Sequence, residues 1–375
     1  MKFFMQQLLL IILLPLVSCN HNHQYATYSE PTLDEKIGQM FMVGFKGYEL
    51  ADTSHIFRDI RDYHIGGVIL FDYDVPTRTP IRNIESKSQV RKLISDLQNL
   101  SEVPLFIAVD QEGGRVARLK TERGFLPHVS AEYLGNLNDP DSTRHHASSM
   151  AGQLHDLGFN VNFAPVTDLN TNPLNPIIGQ LERSISADPD IVTRHASIFL
   201  DEFLNENILG VIKHFPGHGS AWNDSHVGMA DVSDTWDAIE LQPYKNLIAS
   251  GLPFAVMTAH VFNEHLDPDL PATLSEHVQS EILRNQIGFD GVLFSDDMQM
   301  DAIRSYYGLE FAIEKAILAG VDVLVFANNS VYWPEIVPQA VTIIKELIED
   351  GVISEERIDQ SYRRIMEEKR RLSVH

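Results

Sequence analysis

Eight short apolar runs recur along the chain between residues 40 and 327. They are rich in Val, Ile and Phe and show little alternation with polar residues, which is typical of parallel strands that are covered on both faces. The runs are "MFMVGF" (40–45), "GGVILF" (66–71), "LFIAVD" (105–110), "VNFAPVTD" (161–168), "GVIKHF" (210–215), "FAVMTAHV" (254–261), "GVLFSDDM" (291–298) and "VDVLVFA" (321–327). The pattern predicts eight buried strands.

Between many of these runs, apolar residues recur at every third or fourth position, as in amphipathic helices. Examples are residues 85–100, 190–207, 275–288 and 310–320. Glycines are expected in left-handed helix caps just before the next strand, at Gly158, Gly210, Gly288 and Gly320. Strand followed by helix, eight times over, predicts an α/β fold of one closed (β/α)8 TIM-type barrel and disfavours an open doubly wound sheet.

Composition supports a folded chain and limits its partners. The 375 residues are 44% hydrophobic, which is enough for a large buried core and excludes a disordered chain. Lys and Arg number 29 against 52 Asp and Glu, giving a formal charge of −23 that repels polyanions. We therefore expect no nucleic-acid partner, and a substrate that is neutral or locally steered.

The N-terminus has the pattern of an export signal. Lys2 precedes an apolar run that is too short for a good membrane-spanning helix, and "LVSC" resembles a bacterial lipoprotein cleavage box. We interpret residues 1–18 as the signal peptide, 19–31 as a lipidated Cys19 with a polar tether, and 32–375 as the barrel with a C-terminal helix. This interpretation predicts an exported, membrane-anchored protein of the cell envelope, on the periplasmic or outer face. The alternative is an ordinary secretory signal in which Cys19 is incidental.

Polar residues cluster at or just past the carboxyl ends of the predicted strands. In a (β/α)8 barrel these ends meet on one rim, where active sites of this architecture lie. The residues are Asp110, Asp168, Lys213, His214, His260, Asp296 and Asp297. The sequence therefore predicts a site on that rim.

The stretch "KHFPGHGSAWNDSH" (213–226) concentrates three histidines in one segment. His214 and His218 have zinc-ligand spacing, but the Pro and Gly between them argue against the helix that this spacing requires. A metal site completed by the loop and a simple polar turn both remain open. Asp224 and His226 can meet if the chain turns between them, and an Asp that orients a His makes a proton shuttle near neutral pH.

A nucleophile is expected in "FSDDM", where two carboxylates end an otherwise apolar strand. An Asp in a deep barrel mouth can attack an electrophilic sugar carbon. Capping or an ion pair is the alternative role for either residue. Because both faces of the strand look buried, alternation does not choose between Asp296 and Asp297.

Nearly the whole chain, from about Leu33 to Arg371, resembles bacterial β-N-acetylglucosaminidases of glycoside hydrolase family 3. The "DSH" that ends residues 213–226 looks like the mark of that branch. The other similar stretches are "DQEGGRVARL" (110–119), "NFAPVTDLN" (162–170), "MTAHVFNEHLDPDLPATLS" (257–275), "GFDGVLFSDDMQM" (288–300) and "ERIDQSYRRI" (356–365).

The resemblance implies roles for individual residues. Asp296 would be the nucleophile, His226 the acid/base and Asp224 its orienting partner. The sugar-binding residues would be Asp110, Arg118, Arg183, Lys213 and His214. Met229 and Ala230 stand where the family often has Leu and Pro, and Ile185 where Phe is frequent, so loop shape and subsite detail are expected to differ.

The expected function is that of a retaining exo-β-N-acetylglucosaminidase that needs no metal or cofactor. It would release terminal N-acetylglucosamine from peptidoglycan-derived or chitin-like glycans through a covalent glycosyl-Asp intermediate. The glycine-bearing loop 217–224 is expected to be mobile and to close onto substrate. The alternatives are a phosphorylase of the same glycosides and a non-catalytic carbohydrate-binding lipoprotein.

Overall fold

The computed structural model describes residues 30–373 of the chain, and a compact unit begins at Thr32. The predicted signal segment 1–18 and Cys19 lie outside the described residues. Within residues 30–373, no helix combines the length and the apolar character needed to cross a membrane.

Eight parallel strands form a closed barrel. They are β1 (Phe41–Gly44), β2 (Gly67–Ile69), β3 (Phe106–Val109), β4 (Val161–Asn162), β5 (Leu209–Phe215), β6 (Ala255–Thr258), β7 (Leu293–Asp297) and β8 (Val323–Phe326). Each pairs with its neighbours in chain order, and β8 returns to β1 with Phe41 beside Leu324. Every predicted apolar run overlaps one of these strands, and only β5 extends beyond its run, by Leu209, so the (β/α)8 prediction is confirmed.

Aromatic side chains fill the barrel interior. Phe294 on β7 lies 6.1 Å from Phe106 on β3, measured between ring centroids, although these two strands are not neighbours in the sheet. Phe163, just after β4, meets the same ring edge-on at 5.6 Å. All three rings are buried, so the barrel is a packed core beneath its rim.

Helices surround the barrel, and the first six of them begin at a side-chain cap. Ser86, for example, accepts a hydrogen bond from the Gln89 amide, and Asp188 caps a helix that starts at Pro189. The helices are Leu33–Gln39, His55–Tyr63, Lys87–Leu100, Ala131–Leu137, Pro140–Leu157, Pro189–Asn205, Gln242–Ser250, the π-helix His277–Gln286, Asp301–Arg304, Leu309–Ala319, Ile336–Glu349 and Glu355–Ser373, with 3-10 turns at Thr121–Arg123, Ala238–Leu241 and Ala272–Leu274.

One of the four predicted glycine caps is wrong. Left-handed φ angles of 94°, 89° and 116° occur at Gly158, Gly288 and Gly320. Gly210 instead lies inside β5, and Asn207, with φ 56°, adopts the left-handed conformation after the helix. A Cβ at Gly210 would come within 2.5 Å of Leu200 Cδ2. Glycine is therefore required there for close helix–strand packing.

The first and last helices cover the amino end of the barrel. Lys369, on the final helix, donates hydrogen bonds of 2.7 Å to Gln39 Oε1, just before β1, and to the Gly66 carbonyl, just before β2. Lys36, on the first helix, pairs with Asp359 at 2.6 Å. The amino end is thereby closed, and the opposite rim remains available for chemistry.

Candidate active site

A cavity of about 300 Å³ opens at the carboxyl ends of the barrel strands. Five of the seven predicted rim residues line it: Asp110, Lys213, His214, Asp296 and Asp297. The other two, Asp168 and His260, are buried behind its wall. Arg118, Arg183 and His226 also line the cavity. The described structure thus brings together all of these predicted residues, from segments far apart in the chain.

Ion pairs connect the residues on one side of the cavity. Lys213 Nζ lies 2.8 Å from Asp110 Oδ1 and 2.7 Å from Glu112 Oε1. Glu112 also receives two hydrogen bonds from Arg183, at 2.7 and 2.8 Å. Arg118 lies 3.4 Å from Asp110 Oδ2, and its Nε has no hydrogen-bond partner among the described residues. The network offers charged donors and acceptors for a ligand's hydroxyl groups.

Both carboxylates of this network are held in the ionised form. Burial raises the pKa of Glu112, but the charges of Arg183 and Lys213 lower it further, to about 2. The same balance holds at Asp110, where burial is outweighed by Lys213 and Arg118 and the pKa is lowered. Since these charges are already paired, the cavity wall is suited to a neutral, polyhydroxylated ligand.

Glu112 is the residue of this site that sequence reasoning missed. Its side chain is 4% exposed and links the β3 and β5 strand ends to Arg183. The available signal was its position two residues beyond Asp110, within the same "DQEGG" stretch.

Asp168 orients His214 from behind the cavity wall. Its Oδ2 lies 2.6 Å from His214 Nδ1, and its Oδ1 accepts from the backbone amides of His214 and His218. Fixing Nδ1 in this way leaves His214 Nε2 on the cavity side, 3.4 Å from Arg183. The peptide bond between Lys213 and His214 is cis.

The two adjacent aspartates of β7 differ in their contacts. Asp297 Oδ1 accepts hydrogen bonds from the Gln299 and Ala327 amides, and burial raises the pKa of this carboxyl to about 6. Burial also raises the pKa of Asp296, but the charges of nearby histidines, His260 first, outweigh it, so the net shift is downward. Of the two β7 carboxyl groups, Asp296 is therefore the one that ionises more readily.

His260 supports the strand end that carries these aspartates. Its Nε2 donates to the Asp297 carbonyl at 3.0 Å, and its Nδ1 lies 2.8 Å from Thr273 Oγ1. Burial lowers the pKa of His260, and the charge of Asp296 opposes this shift. It was predicted as a rim residue, and its place in the structure is behind the cavity wall.

The segment after β5 carries an Asp–His pair at the cavity mouth. His226 Nδ1 lies 2.8 Å from Asp224 Oδ1, and the same oxygen accepts from the His226 amide. The turn that the sequence required between them is present. The His226 side chain is 52% exposed. Desolvation lowers the pKa of His226, but the hydrogen bond to Asp224 and the charge of Asp296 raise it more, so the net shift is upward.

The two histidines with zinc-ligand spacing do not share a helix. His214 belongs to β5 and His218 to the following segment, with their ring centroids 6.0 Å apart. His218 Nε2 contacts Ser225 Oγ at 3.0 Å, and burial lowers the pKa of His218 to about 4. Residues 30–373 contain no group of three or more His, Cys, Asp or Glu side chains arranged to hold a metal ion.

Comparison with known proteins identifies the family. The sequence profile described as "Glycosyl hydrolase family 3 N terminal domain" matches residues 32–367. The chain belongs to this family. The resemblance inferred from the six stretches is thereby confirmed, and the closed barrel agrees with it.

Known proteins match over most of the chain. Beta-hexosaminidase A of Pseudoalteromonas piscicida is 30% identical across 93% of this chain, and Beta-hexosaminidase of Nitrosomonas eutropha is 35% identical across 77% of this chain and 80% of its own length. A solved family 3 beta-N-acetylglucosaminidase from Paenibacillus sp. str. FPU-7 superimposes with a TM-score of 0.83, at 36% identity over 92% of this chain. Beta-N-acetylhexosaminidase from Beutenbergia cavernae gives 0.78 at 28% identity, covering 91% of this chain and 99% of its own.

The relatives differ in length. This chain spans 63% of the Pseudoalteromonas protein and 63% of the Paenibacillus chain, whereas it spans almost all of the Beutenbergia one.

Proposed function

We propose that this family 3 protein is a retaining exo-β-N-acetylglucosaminidase that releases terminal N-acetylglucosamine through a covalent glycosyl-Asp296 intermediate. The observation that carries the proposal is the combination of an ionised Asp296 in the cavity with the Asp224–His226 pair at its mouth. A nucleophile and a separate proton carrier are the two groups that a retaining mechanism needs.

In the first step Asp296 attacks the anomeric carbon and forms the glycosyl ester while the bond to the leaving oxygen breaks. His226 Nε2 gives its proton to that oxygen. Asp224, which holds Nδ1–H, stabilises the imidazolium beforehand and keeps the ring oriented. A histidine starts near a pKa of about 6.5 and therefore acts as an acid at neutral pH with less upward shift than a carboxylic acid requires.

In the second step the neutral His226 takes a proton from water, and the resulting hydroxide attacks the anomeric carbon. The ester bond to Asp296 breaks, the carboxylate is regenerated, and the sugar leaves as the β-anomer. Two inversions at one carbon give net retention.

The paired charges on the cavity wall would bind the sugar hydroxyls. Lys213 Nζ and Asp110 Oδ1 lie 2.8 Å apart. This contact uses only part of the hydrogen-bonding capacity of each group, and the rest is available to vicinal hydroxyls of the sugar. Arg118 lines the cavity and offers its guanidinium group beside Asp110, and His214 offers Nε2. Arg183 is mainly engaged with Glu112, so its contribution to the sugar would be made through the remaining donor positions.

The substrate class is supported by the relatives, whose names are beta-hexosaminidase and beta-N-acetylglucosaminidase. Peptidoglycan-derived and chitin-like glycans both end in N-acetylglucosamine, and we propose the former for an envelope protein. One alternative is phosphorolysis, which is supported by the presence of a histidine in place of an anionic general base. The other alternative is carbohydrate binding without turnover.

Trapping with a 5-fluoro-N-acetylglucosaminide that carries an activated leaving group tests the mechanism. Slow turnover of the intermediate should leave a label on the peptide that holds Asp296, detected by mass mapping. NMR of the first product formed from an aryl N-acetylglucosaminide should give the β-anomer. An initial α-anomer would exclude retention, a sugar phosphate formed only with added phosphate would establish the phosphorylase, and sugar binding without product would establish the non-catalytic protein.

We further propose that Cys19 carries a lipid that anchors the protein to the membrane of the envelope. The lone cysteine in a lipoprotein-type box supports this proposal. Cys19→Ser should shift the protein from the membrane fraction to the soluble fraction of the cells. A variant that stays membrane-bound would exclude the anchor.

A further inference from the structure

A buried acidic side chain lies beneath the segment that carries His226. Glu240 belongs to the 3-10 turn Ala238–Leu241 and is 1% exposed. Neither of its carboxyl oxygens makes a well-formed hydrogen bond among the described residues, and Ser220 and the Gly219 amide are its neighbouring polar groups. Buried carboxyl groups are rarely left in this condition without a function or a compensating neighbour.

The root of the His226 segment packs directly on this carboxyl. Gly217 has a φ of 126°, and a Cβ added there would come within 2.4 Å of Glu240 Oε2. One residue earlier, the Pro216 carbonyl accepts a hydrogen bond of 3.1 Å from Trp236 Nε1. Two residues later, a Cβ at Gly219 would come within 1.7 Å of the Leu169 carbonyl oxygen. The root is therefore confined between Glu240 and the end of the β4 region.

Other buried polar atoms lie on the same segment or on the helix that follows Glu240. Ser220 Oγ, His218 Nδ1 and the Tyr244 hydroxyl are buried and make no well-formed hydrogen bond in the described part of the chain. We call these residues, together with Glu240, the loop-root cluster. Because several such atoms lie close to one segment, small shifts of their side chains would let these polar groups form hydrogen bonds with one another.

The charge state of the cluster fits a neutral hydrogen-bonding group. Burial raises the pKa of Glu240 to about 8; Asp168 and Asp237 add to this increase, while Ser220 and the Gly219 amide oppose it. Burial also raises the pKa of Tyr244 and lowers that of His218, so both are uncharged. A protonated carboxyl can donate to Ser220 and accept from the Gly219 amide, whereas an ionised one would face Asp168 and Asp237.

A short path connects the cluster to the proton carrier. His218 Nε2 contacts Ser225 Oγ at 3.0 Å, and Ser225 is the residue immediately before His226. At its far end the segment is fixed again, because Ala230 and Asp231 pair with Val261 and Phe262. The conformation of the residues in between therefore depends on how the root is held.

We propose that Glu240 is a positioning residue, which holds the root of the His226 segment so that the Asp224–His226 pair faces Asp296. The inference rests on the proposed function of His226 as the acid. It assigns Glu240 no contact with the substrate, and its effect should appear in steps that need proton transfer to the leaving group.

Two variants of Glu240 test the assignment kinetically. Glu240→Leu removes the polar group at similar size, and Glu240→Gln keeps a neutral donor and acceptor. With Glu240→Leu, kcat/KM should fall about ten-fold or more on alkyl N-acetylglucosaminides and less than about three-fold on the 2,4-dinitrophenyl glycoside, whose leaving group needs no proton. Glu240→Gln should stay within about three-fold of the wild type on both. Equal losses on the two substrates, a Glu240→Gln variant as impaired as Glu240→Leu, or no loss at all would overturn the proposal.

Hydrogen–deuterium exchange of the full chain tests the positioning without relying on activity. In Glu240→Leu the peptide that spans residues 214–229 should exchange faster than in the wild type, while strand peptides of the barrel should be unchanged. Glu202→Leu, which removes a buried acid of another helix, is the control for general destabilisation and should leave that peptide unchanged. Unaltered exchange in Glu240→Leu would exclude the positioning role. If the wild type hydrolyses neither substrate, the proposed function fails, and this measurement still decides whether Glu240 holds the segment.

Discussion

Asp296 and Asp297 are adjacent in sequence and differ in chemistry because their partners differ. Two backbone amides engage the Asp297 carboxyl, and burial raises its pKa to about 6. Asp296 lies in the field of several histidines, which outweighs burial and lowers its pKa. At the scale of a residue, therefore, the difference between the two carboxyl groups depends on contacts made by other parts of the chain.

Substitution at Asp296 and His226 should separate nucleophile from acid. Asp296→Ala should abolish turnover of every substrate, because each needs the covalent step. His226→Ala should lower kcat/KM by about 100-fold or more on alkyl N-acetylglucosaminides and far less on dinitrophenyl glycosides, whose leaving group departs without a proton. Steady-state kinetics with both substrates checks this. Equal losses in His226→Ala would remove that residue from its proposed role.

The pH profile of kcat/KM should reflect the opposite pKa shifts of Asp296 and His226. Asp296 must be ionised, so activity is lost as pH falls through its lowered pKa, below the usual value near 3.8. His226 must be protonated, so activity is lost as pH rises through its raised pKa, above the usual 6.5. Asp224→Asn removes the negative charge beside His226 and the hydrogen bond from His226 to a carboxylate. The pKa of His226 should therefore fall, and the alkaline limb should move to lower pH. An alkaline limb that does not move in this variant would contradict the assignment.

At the scale of elements, the site is assembled from the ends of different strands. Glu112, after β3, joins Lys213 of β5 to Arg183, which follows β4. The carboxylate is 4% exposed, so it offsets two buried cations that cannot be hydrated. The network thus connects the ends of β3 and β5 to the segment that follows β4, and it shapes one wall of the cavity.

Glu112→Gln should therefore be strongly destabilising. Removing one partner of a buried ion pair typically costs about 3–5 kcal/mol, because the remaining charges stay unpaired. The Glu112 pKa is lowered to about 2, so its contribution is complete above its ordinary value of 4.5 and is lost as pH falls toward 2. Urea unfolding at pH 7 and at pH 3 should show a smaller difference between wild type and variant at the lower pH. A difference that grows on acidification would contradict the prediction.

At the scale of the whole molecule, the barrel interior and the amino-end closure support the rim. Phe106, Phe163 and Phe294 meet inside the barrel, and the final helix contacts the chain just before β1 and β2. Because the strands are short, of two to seven residues, this interior packing contributes much of what keeps their ends in register.

Truncating the central ring should lower the stability of the entire unit. Phe294→Ala is expected to cost about 3–5 kcal/mol, since a large buried side chain is lost from a packed interior. Phe311→Ala, at a side chain that is 38% exposed, is the matched control and should cost far less. Chemical denaturation measures both. Equal losses in the two variants would show that Phe294 is not part of a continuous core.

The sequence by itself determined the features that arise from local pattern. Apolar runs of strand length, with helical periodicity between them, predicted the eight strands. The polar residues at the ends of these runs predicted the rim on which Asp110, Lys213 and Asp296 lie. These features are readable because hydrophobic burial in strands and helices leaves a short-range period in the chain.

Only the tertiary structure decided which charges meet. Asp110 contacts Lys213 across 103 positions of the chain, and Glu112 contacts Arg183 across 71. Tertiary structure also decided that position 210 needs a glycine, because Leu200 of a neighbouring helix packs against it. It likewise placed the buried carboxyl of Glu240 under the His226 segment. Burial and electrostatic fields depend on atoms close in space, and chain order does not encode those distances directly.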